Sequence, residues 1–589
     1  MDNQRLIIWG FFAIMAYLTW QTWQLDYAQP GAPANTDNIE ATEPAIPSIG
    51  SVDEPGSELP DLPQATSSDN ALPAVGAGGE RTASSGTSAT EAPVITVRTD
   101  VLEVTISTLG GVLTGARVLD YPVEKDNPDE VVELLTETPG DVSIIRSWLR
   151  ADGGAAAPGA DAVFDVRYTD FSLGDDDVIR VPLTWTDESG VEVEKVFTFE
   201  RGQYAIGLAQ TVTNTSSETW VGDQVTQAVR RSRTLERSMF NVDSYSFDGP
   251  QLFDGDGAQK LDSGDLEDGV VTVTTDNGWY ASLQHHFLSA IVPSEGTTNI
   301  FQVRASGNQT IASVIEAKRS IAPGETEVFE RTLFVGPKLQ SQLEEVHPRL
   351  KLSVDYGWLT ILSNPMFWLL SFIYGFVGNW GWAIIGVTIV IKLVFYRLSE
   401  SSGRSMAKMR ELQPRMKALQ ERYKDDRQAL SQAMMDLYKR EKVNPAAGCL
   451  PILIQMPFFL AFYWVLVESV EMRQAPWMLW ITDLSVRDPY FILPLIMGAA
   501  MLFQQKLNPA PADPVQARVM QIMPIMFTGF FAFFPSGLVL YWVTNTLLSI
   551  AQQWKINKVV HREAVEAKNR KKKGKKDKKS KADADDQAS

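Results

Sequence analysis

The sequence predicts a multi-pass α-helical membrane protein that carries a large antiparallel β-sandwich domain outside the cytoplasm. Apolar stretches of about one membrane span recur after residue 380 and contain almost no charged residues. Between residues 94 and 345, apolar and polar residues alternate instead, which is the period of half-buried strands. The segment 100–345 is acidic, whereas the segment 399–443 and the tail after residue 555 are basic. Such asymmetry indicates that these parts lie on opposite sides of a membrane.

The composition excludes several classes of function. At 589 residues the chain is too long for one ordinary domain. Its net charge of -19 and pI of about 4.8 argue against DNA binding by the whole chain. Cys449 is the only cysteine, so an intrachain disulfide is excluded. Because the sequence has no phosphate-binding loop, metal-ligand cluster or nucleophile–base set, we predict no enzyme activity, no catalytic residues, no metal site and no cofactor.

Residues 1–28 are predicted to form an N-terminal membrane anchor. The run LIIWGFFAIMAYLTWQTW is about one membrane span long, and Trp20 and Trp23 suit the membrane–water interface. A cleaved signal peptide is the alternative, for which residues 32–34 (Ala-Pro-Ala) offer a poor cleavage site. Residues 29–93 consist mainly of Pro, Ala, Gly, Ser, Thr and acids, which bury too little apolar surface to fold. We therefore predict a disordered linker there.

Residues 94–345 are predicted to form the β-sandwich. In the runs VLEVTIST and VEVEKVFTFE the apolar residues alternate with polar ones. Gly, Asp and Asn separate such runs, which is typical of turns between antiparallel strands. His285 and His286 invite a catalytic or metal-binding interpretation. Adjacent residues of a strand point to opposite faces, however, so we expect these two to serve no common site.

The topology depends on how two neighbouring apolar segments are placed. Residues 356–377 and 380–398 are each long enough to span a membrane, but counting both as spans puts the basic hairpin and tail outside. We therefore predict that residues 356–377 form an amphipathic helix lying in the membrane interface. A membrane core at 380–554 follows, and its spans are 380–398, 450–467, 490–505, 519–534 and 536–554. With the anchor, this gives six spans and places both termini in the cytoplasm.

Residues 399–443 are predicted to form a cytoplasmic helical hairpin. Apolar residues at steps of three and four mark a seam on each arm, and between Arg397 and Lys442 twelve basic residues outnumber seven acidic ones. Two interpretations stay open. The hairpin is either a solvated element beside anionic lipid, or a docking arm whose methionines present an adaptable apolar surface. The candidate docking residues are Met409, Arg410, Met416, Tyr423 and Met434.

Lys392 is the single charged residue in the stretch 357–396. A lysine at mid-membrane costs about 2.5–3.5 kcal/mol, so a chain usually keeps one where it faces water or protein. We interpret Lys392 as part of a polar cavity open toward the hairpin. The alternative is a side chain that reaches the cytoplasmic headgroups, because it lies only about 7–8 Å into the span. Thr388 shares its helix face, and Gln455 and Asn545 are polar residues of other spans suited to the same groove.

Five motifs of the sequence resemble those of a known protein family. They are SMAKMRELQP (405–414), EKVNPAAGCLPILIQMPFFLAFY (441–463), RQAPWMLWITDLS (473–485), DPYFILPLIMG (488–498) and FPSGLVLYW (534–542). They closely resemble the YidC/Oxa/Alb family of membrane protein insertases, in its Gram-negative form with a large periplasmic domain. The resemblance covers the whole chain and is most specific from residue 356 to 554.

The resemblance implies that the chain inserts and folds integral membrane proteins into the bacterial inner membrane, alone or with the Sec translocon. It implies a five-span core with a hydrophilic groove open to the cytosol and to lipid, where Lys392, Thr388 and Trp542 contact the incoming chain. The implied partners are nascent integral membrane proteins, the Sec translocon, membrane lipids and, through the basic cytoplasmic tail at 555–589, the ribosome. The alternative for the tail is a disordered segment attracted to anionic lipid.

Three positions depart from the family pattern. Lys392 stands where an arginine is usual, which keeps the charge but loses the planar fork of donors. Arg397 replaces a usual proline, and Trp542 replaces a usual tyrosine. A solute transporter or channel is the alternative function. It predicts carboxylate relays or inverted repeats, and the sequence displays neither.

Overall fold

The computed structural model describes residues 93–138, 140–231, 246–267, 269–424, 426–441, 443, 450–507 and 514–586. Within these ranges, strands occupy the first half and helices the second. The predicted anchor at 1–28, nearly all of the predicted linker at 29–93, and Cys449 lie outside the described residues.

The strands lie between Val94 and Pro337, where the alternating pattern predicts them. They are β1 (Val94–Arg98), β2 (Leu102–Ser107), β3 (Val112–Glu124), β4 (Asn127–Leu135), β5 (Ser143–Ala151), β6 (Asp170–Ser172), β7 (Val178–Thr186), β8 (Val191–Glu200), β9 (Ala205–Asn214), β10 (Trp220–Arg231), β11 (Gly249–Phe253), β12 (Ala258–Lys260), β13 (Val271–Thr275), β14 (Trp279–Leu283), β15 (Phe287–Pro293), β16 (Asn299–Ser306), β17 (Gln309–Glu316), β18 (Arg319–Ile321) and β19 (Thr326–Pro337). Short helices α1 (Ser263–Glu267) and α2 (Gln340–Val346) accompany them.

Within the described residues these strands form two sheets. An 11-stranded sheet runs β13-β16-β17-β10-β5-β3-β2-β1-β6, with β18 and β4 paired off this path, and an 8-stranded sheet runs β12-β11-β14-β15-β19-β9-β8-β7. Antiparallel pairs build both sheets, although β1 and β6 run parallel. The rings of Phe253 and Trp279 stack at 5.6 Å within a core to which both sheets contribute, including Phe301 of the larger sheet. The predicted β-sandwich is confirmed.

The helices after the sandwich follow the apolar runs. They are α3 (Thr360–Val377), α4 (Trp380–Val394), α5 (Tyr396–Arg422), α6 (Arg427–Arg440), α7 (Leu450–Glu468), α8 (Ile492–Leu507), α9 (Pro514–Phe531) and α10 (Ser536–Asp586). Short 3₁₀ helices at Leu350–Ser353 and Gly357–Leu359 link the two halves, and a third at Val470–Met472 follows α7.

Two boundaries differ from the sequence prediction. The segment predicted as a span at 380–398 is divided, because α4 ends at Val394 and α5 begins at Tyr396 after a bend of 68°. The ring of Phe395 at this bend packs edge-on against Phe458, which holds the turn inside the apolar layer of helices. The tail at 555–589, for which disorder was the alternative, continues α10 as far as Asp586. Its Ala, Lys, Glu and Arg residues have high helix propensity, and no proline interrupts it.

Few of the described helices are both long enough and apolar enough to cross a membrane. By length and composition, α3 is long and apolar enough to cross a membrane, and α4 with α5 qualifies as a bent pair. The segments Ile454–Glu468 and Ile492–Leu507 are apolar but shorter. The placement of α3 in the interface and the number of spans stay predictions.

His285 and His286 lie in the turn between β14 and β15 rather than within a strand. The backbone N–H of Gln284 donates to the carbonyl of Phe287 at 2.9 Å and closes this turn. The two imidazole rings stack with centroids 3.8 Å apart, and both Nε2 atoms lie 3.0 Å from the carbonyl oxygen of Val467, at the end of α7. The expectation that they serve no common site is therefore wrong, because strand alternation does not apply in a turn. Their common site joins the β domain to the helices.

Candidate functional site

Lys392 lies in the last turn of α4 and is tied to α10. Its Nζ donates to Oγ of Ser549 at 2.7 Å, and that hydroxyl donates to the carbonyl oxygen of Asn545 at 2.7 Å. The lysine, serine and asparagine are each partly buried. The ammonium is therefore hydrogen-bonded between α4 and α10. Ser549 links Lys392 to the backbone carbonyl of Asn545, and the Asn545 side chain takes no part in this contact.

Thr388 lies one turn before Lys392 on α4 and is buried. Its Oγ1 donates to the carbonyl oxygen of Ile384 at 2.7 Å, within the same helix. This i to i−4 bond satisfies the hydroxyl locally. The structure thus places Thr388 on the expected helix and turns its hydroxyl toward the backbone, so its contact with an incoming chain stays a prediction.

Trp542 forms an aromatic wall beside the Lys392 contact. On α10 it precedes Asn545 by three residues, which puts both on neighbouring faces of the helix. The indole packs against Phe459 of α7 at 4.7 Å between ring centroids, and against Phe531 of α9 at 5.0 Å. Gln455 lies one turn before Phe459 on α7 and is partly buried. The helices α4, α7 and α10 thus carry the predicted groove residues, and the contacts Lys392–Ser549 and Phe459–Trp542 join α10 to the other two.

Sequence reasoning missed Ser549. The residue is small and common in helices, and it gives no motif of its own. The available signal was its spacing, since Ser549 follows Asn545 by four residues and Trp542 by seven, which places all three along one side of α10.

Three methionines of the hairpin pack between its two arms. Met416 is buried in a cluster with Leu412 and Val443, and Met409 and Met434 pack against this cluster. These three side chains hold α5 against α6, so they become available to a client only when the arms separate, whereas Met435 is 59% exposed. The docking interpretation stays a prediction.

The other two candidate docking residues belong to the first arm, with Arg410 in the interior of α5 and Tyr423 as its C-terminal cap. Arg410 donates through NH1 to the carbonyl of Leu507 at 3.3 Å, at the end of α8, and Tyr423 ends α5. The second arm begins at Asp426, whose carboxylate accepts from the backbone N–H groups of Gln428 and Ala429. This is a side-chain cap of the kind that stabilises helix starts.

The first hairpin arm packs along the part of α10 that follows residue 554. A Cβ placed on Gly403 would lie 2.7 Å from Cδ1 of Ile556, so glycine allows the two helices to approach closely. Ala407, Ile556 and Val560 form a buried apolar cluster one turn farther along. Arg404 pairs with Glu563 at 3.2 Å across the same contact. We call this contact the hairpin–tail seam.

The β domain is joined to the helices by polar contacts at the end of α7. Besides the histidine pair, Oγ of Ser246 donates to Glu468 at 2.6 Å, and the Tyr356 hydroxyl lies 3.3 Å from Oγ of Ser469. Burial raises the pKa of the Glu471 carboxyl from its usual 4.5 to about 7, and its Oε2 has no hydrogen-bond partner in the described part of the chain. Carbonyl, hydroxyl and carboxylate groups thus fix the orientation of the domain on this helix end. The described residues contain no group of three or more His, Cys, Asp or Glu side chains placed to hold a metal ion.

Comparisons with known proteins identify the family. Residues 94–369 match the family described as the YidC periplasmic domain, and residues 372–563 match the 60Kd inner membrane protein family. The membrane protein insertase YidC of Thioalkalivibrio sulfidiphilus is 49% identical over 80% of this chain and 85% of its own length. The same protein of Nitrosococcus oceani is 46% identical over 80% of this chain and 88% of its own. A crystal structure of an active YidC insertase matches 78% of this chain and 94% of its own at 20% identity, with a TM-score of 0.38.

The two matched regions meet near residue 370, inside α3, so the first covers all the strands and the second covers the helices that follow α3, as far as residue 563. The relatives are matched over most of their own length as well as over most of this chain. The resemblance predicted from the motifs is thereby confirmed. This chain therefore belongs to the YidC family of inner-membrane protein insertases, in the form that carries a periplasmic domain.

Proposed function

We propose that this chain inserts and folds membrane proteins through a hydrophilic groove between α4, α7 and α10. Family membership makes the chain a membrane protein insertase rather than an enzyme, and membrane proteins are its substrates. The groove, the residues that line it and the route of the incoming chain are our proposal.

The groove works by lowering the cost of moving polar backbone and side chains into the membrane. Each unsatisfied backbone group in hydrocarbon costs several kcal/mol, so a client's hydrophilic segment needs a polar surface while it crosses. Lys392, Gln455 and Asn545 supply such groups, with Thr388 on the same helix face as the lysine. The aromatic wall at Trp542 offers the client's apolar part a surface continuous with lipid. No bond is made or broken, and the incoming chain leaves the groove sideways into the bilayer.

The observation that carries the proposal is the bond from Lys392 to Ser549. A lysine that merely extended to headgroups would not be fixed by a second helix below the membrane surface. The bond leaves further N–H groups of the ammonium available, because the group has three donors. The charge is therefore held at one position and retains hydrogen-bonding capacity for a client.

The proposed topology has six spans, which are the anchor, α4, α7, α8, α9 and the first part of α10. The helix α3 lies in the outer interface, although its length and composition also permit a span. One side of α3 buries Ser363 and Leu370 against other helices, and the other exposes a row of Trp368, Phe372 and Phe376. Aromatic residues favour the interface, and this placement keeps the basic hairpin and both termini in the cytoplasm.

The hairpin and the tail are proposed to receive clients at the cytoplasmic mouth of the groove. The basic face of the hairpin suits anionic lipid, and the lysine-rich end of α10 suits a polyanion such as ribosomal RNA. Docking of a client on Met409, Met416 and Met434 requires the arms to open. Cooperation with the Sec translocon follows from the family resemblance alone.

A pair of substitutions tests the role of Lys392. We expect Lys392→Arg to retain insertion in cells that depend on this chain, and Lys392→Leu to impair clients with long hydrophilic extracytoplasmic segments. Leu393→Val is the matched control, since Leu393 is the next residue and is exposed on the outside of the helices. Normal insertion of every client by Lys392→Leu, at normal protein level, would show that the charge is dispensable.

A further inference from the structure

A cavity of about 690 Å³ lies between the β domain and the helices, outside the predicted groove. One wall is the tip that joins β3 to β4 together with the histidine turn. The opposite wall is the segment 473–489, which follows α7, and the floor is made by Val467, Phe533 and Pro535 at helix ends. None of the predicted groove residues lines it.

Six charged side chains line the cavity, three of each sign. The cations are Lys125, Arg473 and Arg487, and the anions are Glu124, Asp126 and Asp483. Nζ of Lys125 donates to the backbone carbonyls of Gln474, at 3.1 Å, and Thr482. Arg473 donates through NH2 to the carbonyl of Pro122 at 2.8 Å. Backbone oxygens thus hold the Lys125 ammonium in place and also accept from Arg473.

Lys125 and Arg487 form no ion pair with any carboxylate in the part of the chain that the structure describes. The Arg487 side chain is exposed at the rim. Asp483 is held by the N–H and hydroxyl of Ser485 at 2.8 and 2.7 Å, through one of its oxygens. Charges of both signs therefore line the cavity, and among them Lys125 and Asp483 are held by hydrogen bonds.

The segment that forms one wall has the character of a membrane interface. Leu479 is 77% exposed and Tyr490 is 66% exposed, although both are large side chains. Trp480 lies between them and donates through Nε1 to Asp488 at 3.1 Å. Exposed apolar and aromatic residues beside polar anchors are typical of chain at headgroup depth. Under the proposed topology, the cavity opens among the headgroups of the outer leaflet.

We propose that this cavity binds the headgroup of a zwitterionic phospholipid with a primary ammonium, the phosphoethanolamine class. Its phosphate pairs with Arg487 and Lys125, and its ammonium donates hydrogen bonds to the carboxylates of Asp126 and Asp483. A phosphoglycerol headgroup leaves those carboxylates without a cation. A phosphocholine headgroup carries a charge with no N–H to donate, so it satisfies them poorly. The inference rests on the proposed topology for the depth of the cavity.

A bound headgroup would touch the β domain and the helical module at once. The tip carrying Lys125 and Asp126 belongs to the domain, whereas Asp483 and Arg487 belong to the segment after α7. Lipid binding therefore stabilises one orientation of the domain, in addition to the protein contacts at Val467. The site couples the composition of the outer leaflet to the junction.

The test is native mass spectrometry of the purified full chain with short-chain phospholipids that differ only in headgroup. We expect the phosphoethanolamine lipid to bind more tightly than the phosphocholine and phosphoglycerol lipids. Arg487→Gln should weaken its binding about tenfold, the effect of losing one charge-assisted hydrogen bond. Asp126→Asn should abolish the preference for phosphoethanolamine over phosphoglycerol. Asp129→Asn, on β4 outside the cavity, is the matched control and should change nothing.

Equal binding of the three lipids, or binding unaffected by Arg487→Gln, would show annular lipid only and overturn the inference. Capture of a client by a photocrosslinking residue at position 487, without headgroup selectivity, would overturn it in favour of a peptide site. Insertion is measured separately on the same variants. Intact insertion without headgroup selectivity would refute the lipid site but not the proposed function. Normal insertion by Lys392→Leu would refute the role of the lysine and would leave the lipid-binding measurement valid.

Discussion

The hairpin–tail seam predicts that apolar packing, rather than the visible ion pair, holds the tail helix to the hairpin. Ile556 is buried beside Gly403 and Ala407, and truncating a buried isoleucine to alanine costs about 2–5 kcal/mol. Because this cluster has only three buried members among the described residues, we take the lower end, about 2 kcal/mol, which is about thirtyfold in the docking equilibrium. The Arg404–Glu563 pair is largely exposed, so solvent screens it and its loss should change the docking equilibrium by about fivefold at most.

Thiol labelling measures this difference directly. Cys449 is the only native cysteine, so Cys449→Ala with Ala407→Cys gives a single thiol buried in the seam. The thiol reacts with maleimide only when the helices separate, so the labelling rate follows the undocked population. Ile556→Ala should raise the rate about thirtyfold, and Glu563→Gln about fivefold at most. A thiol at the exposed position 417 should react at one rate in all variants.

The opposite order of effects would refute this reasoning. If Glu563→Gln releases the thiol and Ile556→Ala does not, the ion pair holds the tail and the close approach at Gly403 is incidental. Equal rates in every variant, all matching the exposed thiol, would mean that the tail helix is not docked.

Three further predictions concern the β domain and its junction. Glu471→Gln should protect the junction amides from hydrogen exchange more at pH 8 than at pH 5. Burial raises the pKa of the Glu471 carboxyl from 4.5 to about 7, so ionisation of this group destabilises the fold as the pH rises through that range, and glutamine removes the effect. His285→Ala and His286→Ala should each cost about 1 kcal/mol, but the double variant should cost more than their sum, since only it leaves the shared carbonyl unsatisfied. Gly222→Ala should prevent folding, because the added Cβ overlaps the backbone carbonyl oxygen of Arg150 on the adjacent strand. Gly207→Ala should fold normally, because its Cβ lies at an ordinary contact distance of 3.4 Å from Cβ of Thr198.

The sequence predicted the architecture well, because burial patterns are written in the spacing of apolar residues. The alternation along β8 reappears as strictly alternating burial, and the apolar run from Thr360 to Val377 reappears as one helix that ends at Gly378. The left-handed conformation of Gly378, with φ of 63°, is one that glycine adopts without strain and that commonly ends a helix.

Contacts between distant elements were not predictable in the same way. Nothing in the sequence indicates that Ser549 receives the bond from Lys392, because the pairing depends on how α4 packs against α10. The prediction for His285 and His286 failed for a different reason. The rule that neighbouring residues point to opposite faces holds within a strand, but these two residues lie in a turn between strands. The spacing of apolar residues correctly predicted an apolar face on each arm of the hairpin. Spacing alone does not say whether such a face contacts a partner or the other arm.

The most direct test of the central claim is site-specific photocrosslinking to ribosome-bound nascent membrane proteins. The crosslinking residue is placed at position 545, beside the bond from Lys392 to Ser549, and a control residue at position 393, which faces outward from the helices. If clients insert through the groove, position 545 captures a client's first hydrophilic segment and loses it once insertion is complete, while position 393 captures at most apolar segments. Capture of apolar segments at both positions, with no hydrophilic segment at 545, would contradict the groove as the route of insertion.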